Sequence, residues 1–101
     1  GGSLAGDTQA GRQANYVLCL GKGQLELVSP EKRETIPRND SRLERFLDRI
    51  ARARQSQYLV IAVSANAYGD FARIRRMAEQ RRITLGYEPL DAGWTVTQPS
   101  R

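Results

Sequence analysis

Tyr58-Leu59-Val60-Ile61-Ala62-Val63 is an unbroken apolar run, and Ser64-Ala65-Asn66-Ala67 ends it. Consecutive apolar side chains predict a strand covered on both faces. From Tyr68 to Arg82 the period changes: Phe71, Ile74 and Ala78 recur at helical spacing, with Met77 at the margin. Ile83-Thr84-Leu85-Gly86-Tyr87-Glu88 then reads as another strand, stopped by Pro89. A helix linking two strands implies right-handed crossovers and at least one parallel pair in the sheet.

Upstream of these elements, Ser41-x-x-Glu44 has the spacing of a capping box, and Leu43, Phe46, Leu47 and Ile50 follow at helical spacing. They predict an amphipathic helix over 41–55, with Arg42, Arg45, Arg49 and Arg52 on its opposite side. Asn15–Leu20 is a short β-prone run, Gly21-Lys22-Gly23 a tight turn, and Gln24–Val28 alternates as a half-buried strand does. Together these make a hairpin. Ser29–Asp40 holds Pro30, Pro37 and charged side chains, so it reads as a loop. Downstream, Asp91-Ala92-Gly93 is a turn, and Trp94–Thr97 a short final strand.

The predicted order is ββαβαββ: an α+β two-layer sandwich, a mixed sheet with two amphipathic helices on one face. Residues 1–14 read as a flexible leader, 15–98 as one domain and 99–101 as a tail. Gly1-Gly2-Ser3 has the look of a scar of recombinant expression. Open edges are expected at Trp94–Thr97 or Tyr16–Leu20, places where a homodimer or an added strand would pair.

Composition narrows the chemistry. The chain has 101 residues, 40% of them hydrophobic, and a net charge of +5, carried by arginine apart from Lys22 and Lys32. There is no histidine and only one cysteine, Cys19. Histidine-dependent catalysis and metal binding are therefore absent, and a single cysteine cannot form an internal disulfide or a zinc cluster. Cys19 lies in an apolar run, the setting of a buried, inert thiol. The sequence predicts no catalytic, cofactor or metal site.

Ten arginines against four acids between Arg42 and Arg82 make the strongest charge signal. Arg42, Arg45, Arg49, Arg52, Arg73 and Arg76 define a candidate basic face for RNA, DNA or anionic lipid, against the plainer reading of a solvated outer helix face. Aromatic platforms of the kind single-strand binders use are not apparent, because Tyr16, Tyr58 and Tyr87 sit in runs that read as buried. Gly21-Lys22-Gly23 lacks the phosphate-loop spacing and leads into a strand. Glu88 and Asp91, close to Trp94, form a turn-borne acid pair whose plain reading is solvation. Tyr68-Gly69-Asp70 joins the buried strand to its helix: Tyr68 is placed to fold back on the core, Gly69 to permit close packing, and Asp70 to complement the helix dipole.

The stretch from Tyr58 through Tyr68-Gly69-Asp70-Phe71, Ile74 and Ala78 to Arg82-Ile83-Thr84-Leu85-Gly86-Tyr87 resembles the ExbD/TolR family. That family has an apolar strand, a loop ending in Tyr-Gly/Asp-Asp/Glu, an amphipathic helix and a strand opened by a Gly-Ile-like step. The similarity covers roughly 15–90. It implies an inner-membrane-anchored subunit with a periplasmic domain that partners an ExbB/TolQ-like proton-driven channel and forms dimers. Tyr68, Gly69 and Asp70 match the motif as structural or interface residues. Arg81-Arg82 departs from it, standing where a small residue and glycine are common.

Overall fold

The computed structural model describes residues 11–90. Its elements are β1 (Gln13–Cys19), β2 (Gln24–Val28), β3 (Arg33–Pro37), α1 (Arg42–Arg52), β4 (Gln57–Val63), α2 (Tyr68–Gln80) and β5 (Leu85–Pro89). They form an α+β two-layer sandwich. One five-stranded mixed sheet runs in the order β3-β2-β1-β4-β5. β1, β4 and β5 are parallel, and β2 and β3 pair antiparallel beyond β1.

Strand alternation explains why both helices share one face. Val17 and Cys19 of β1, Leu25 and Leu27 of β2, Ile36 of β3, and Leu59 and Ile61 of β4 all point to the same side. There they meet Leu43, Leu47 and Ile50 of α1 and Ile74 and Ala78 of α2. Burying each such aliphatic side chain contributes about 1.5–3 kcal/mol, so this layer dominates the stability of the fold. Tyr16, Leu18, Val28, Tyr58, Val60 and Ala62 form a second buried cluster on the other face. β1 and β4 are thus covered on both sides, as the run at 58–63 requires.

The structure corrects the reading of Ser29–Asp40 as a loop, because β3 lies inside it. An edge strand needs few inward apolar residues, and Ile36, fully buried opposite Leu25, is sufficient here. The order among the described residues is therefore βββαβαβ. Tyr16–Leu20 is not an edge either: β1 lies between β2 and β4, and the described edges are β3 and β5. Trp94–Thr97, most of the leader, and the tail lie outside the described residues.

Helix ends depend on neighbours that periodicity does not reveal. Ser41 occupies the N-cap of α1 but makes no side-chain cap bond. Asp40 acts instead, its Oδ1 accepting from the Arg42 amide at 2.8 Å. At the end of α2 the chain closes in a Schellman arrangement: the Arg82 amide donates to the Glu79 carbonyl at 3.0 Å, and the Ile83 amide to the Ala78 carbonyl at 3.1 Å. Arg82 holds the left-handed position, with φ 60°, where glycine carries no steric penalty.

Candidate interaction surface

The Tyr68-Gly69-Asp70 motif lies beyond the carboxyl ends of β1 and β4. Two loops meet there. The Ser64 amide donates to the Cys19 carbonyl at 3.1 Å, as does its hydroxyl at 3.2 Å. Gly21, with φ +81°, lies against the Asn66 carboxamide, which occupies the space a Cβ would need. α2 begins beside this contact.

The three motif residues have different fates. Asp70 turns inward and is buried; its Oδ2 accepts from Arg38 Nη2 at 3.0 Å, and Arg73 Nη2 lies 3.9 Å from its Oδ1. Arg73 also donates to the Arg38 carbonyl at 2.8 Å. The β3–α1 connection is in this way fastened to the first turn of α2. Burial pushes the Cys19 thiol up to about 12; the Asp70 charge adds to the rise and Arg73 opposes it. Tyr68 does not fold back on the core: it is 63% exposed. Gly69 is not needed for packing, since a Cβ there would meet nothing within 4 Å.

An aromatic pair follows Tyr68 along α2. Phe71 lies one helical turn further along α2, which puts it on the same side of the helix. Its ring meets Tyr87 of β5 edge-on, with centroids 5.4 Å apart, and the Arg75 guanidinium lies 6.0 Å from the Phe71 ring. Tyr87, which its apolar run predicts to be buried, is 51% exposed, standing on a strand at the edge of the described sheet. Tyr68 and Tyr87 are the exposed large hydrophobic side chains among the described residues.

The candidate basic face is divided. Arg42 pairs with Asp40 at 2.9 Å and with Glu34 at 3.3 Å. Arg73 serves Asp70 and the Arg38 carbonyl. Arg49 reaches down to the sheet, donating to Asn15 Oδ1 at 2.9 Å and Gln57 Oε1 at 3.0 Å. Arg45 donates to the Ser41 hydroxyl at 3.3 Å, while Arg52 and Arg76 are exposed on the helices. Three of the six arginines are thus engaged by neighbours within the fold, and Arg45, Arg52 and Arg76 are exposed. Pattern reasoning missed the Asn15–Gln57–Arg49 network, although a lone Asn heading an apolar run was its visible sign. Of the acid candidates, Glu88 lies on β5, while Asp91 and Trp94 are outside the described residues.

No protein-family model matches the chain, and no curated protein matches it. Among the described residues, no helix is long and apolar enough to cross a membrane.

Proposed function

We propose that this chain is the non-catalytic protein-interaction domain of a membrane-anchored, ExbD/TolR-like subunit that couples a proton-driven membrane complex to an envelope or soluble partner. The observation that carries this reading is the division of labour within Tyr68-Gly69-Asp70. Asp70 is committed to holding the loops together, while Tyr68 stands in solvent, one helical turn before Phe71, whose ring meets the exposed Tyr87. Exposed aromatic side chains on rigid elements, with an arginine beside them, have the composition of protein contact centres. The strand–loop–Tyr-Gly-Asp–helix–strand order supports the ExbD/TolR-like part of the proposal. By that resemblance the partner in the membrane is an ExbB/TolQ-like channel protein, and the domain is periplasmic.

The alternative, a cytoplasmic module binding nucleic acid on the arginine face, is weakened because Arg42 is paired with Asp40 and Glu34, and Arg73 serves Asp70 and the Arg38 carbonyl. A salt titration with short RNA and DNA separates the two, since phosphate-dominated binding falls steeply with salt. The membrane-coupling reading is tested on the full-length gene product. It predicts one apolar span with an acidic residue upstream of Gly1 and co-purification with the channel subunit. A parent protein lacking that span rejects it.

A further inference from the structure

A cleft of about 450 Å3 opens between the turn joining β2 to β3 and the outer side of α1, floored by Leu27 and Phe46. Its volume falls in the range of sites that hold small ligands or a few residues of peptide. The two walls differ in charge. On the α1 side, Arg45 and Arg49 stand about one turn apart, and neither has a carboxylate within 4.0 Å among the described ion pairs. Arg49 is fixed by neutral acceptors alone, the carboxamide oxygens of buried Asn15 and of Gln57, and its guanidinium lies 5.5 Å from the Phe46 ring. Two of its five N–H groups are engaged in these bonds, so a positioned, un-neutralised cation keeps donors to offer. Glu31 and Glu34 stand on the opposite side of the cleft; Glu34 is paired with Lys32 at 3.8 Å and with Arg42 at 3.3 Å, and Glu31 is exposed.

We infer that this cleft binds a short acidic peptide segment of a partner protein. A carboxylate would sit between Arg45 and Arg49, and an apolar side chain would lie on Phe46 and Leu27. Arginine held in a fixed orientation is suited to carboxylates, because its fork of donors matches their two oxygens. Exposed Glu31 repels any anion, so a peptide of mixed sign, with a basic side chain toward Glu31, fits better than a uniform chain of phosphates. The inference rests on the protein-contact reading of the chain. It does not depend on the ExbD/TolR resemblance or on exposed Tyr68, which lies on the other helix.

The test is a titration of the full 101-residue chain with acetyl-Glu-Leu-Glu-Leu-Lys-amide, followed by amide and arginine side-chain correlation spectra. Arg45, Phe46, Arg49 and Lys32 should shift together. Arg45→Gln, at an exposed position, should weaken binding about fivefold, as expected for an exposed charge pair. Arg52→Gln, on the same helix but outside the cleft lining, should leave binding unchanged. The inference is overturned if those residues do not shift, or if both variants bind equally well. It is also overturned if inorganic phosphate or a short oligothymidylate binds the same residues as tightly as the peptide. Failure here would leave contacts at Tyr68 unaffected, so the two readings fail separately.

Discussion

The β4–α2–β5 unit and the β2–β3–α1 unit share one sheet but are held differently. In the first, β4 is covered on both faces by hydrocarbon, and Ile61 and Ile74 are fully buried. In the second, charge is dense around β3. Glu26 pairs with Arg33 at 2.6 Å, Lys32 with Glu34 at 3.8 Å, and Arg42 with both Glu34 and Asp40. Exposed ion pairs contribute about 0–1 kcal/mol each, against about 1.5–3 for a buried aliphatic side chain. The charges around β3 therefore fix its register more than they stabilise it, and Ile36 supplies most of its hold. Arg38–Asp70 and Arg81–Asp48 connect the two units.

Core truncation should separate the units most clearly. Ile61→Ala, in a strand flanked on both sides, should cost about 3–4 kcal/mol in urea unfolding, and Ile36→Ala, on an edge free to relax, about 2. Equal costs would mean that β3 is as rigidly embedded as β4. Asp70→Asn weakens the fastening between the units and should cost about 1 kcal/mol, with Arg38 half-exposed. It should also speed hydrogen exchange in the β3–α1 connection more than in β4. Arg82→Gly relieves the left-handed position at the end of α2 and should gain roughly 1 kcal/mol. No gain would show that Arg82 is compensated elsewhere.

The smallest effect concerns the cap of α1. Hydrogen bonds from the Arg42 side chain and then from its amide hold the Asp40 carboxyl down at about 2, below its usual 3.8. A depressed carboxylate stabilises the fold above its unfolded value, and that contribution is lost as pH falls from about 4 through 2. Carboxyl resonances of Asp40 should titrate near 2 and rise toward the usual value in Arg42→Gln. A midpoint unchanged by that substitution would remove the cap contact from the account.

The two units also differ in how far their residues reveal them. The run 58–63 and the pattern Phe71, Ile74, Ala78 announce β4 and α2, because burial on both faces or on one helical stripe demands apolar spacing. β3 escapes such reading: Arg33-Glu34-Thr35-Ile36-Pro37 offers one inward apolar residue, and its pairing is visible only through partners on β2. Asp40 and Ser41 are both good capping residues, and adjacency alone does not choose between them. Tyr87 sits in a strand that pattern reading treats as internal, so its exposure follows from topology. Asp70 was legible as a helix-start acid, but its partner Arg38 is 32 positions away.

The most direct test of the proposed contact surface replaces Tyr68 with a photo-crosslinking phenylalanine analogue in the full-length protein in cells, with exposed Ser56 as the control site. Light should join position 68, and not position 56, to an envelope or channel protein. Equal crosslinking at both positions, none at either, or adducts only with nucleic acid would contradict it.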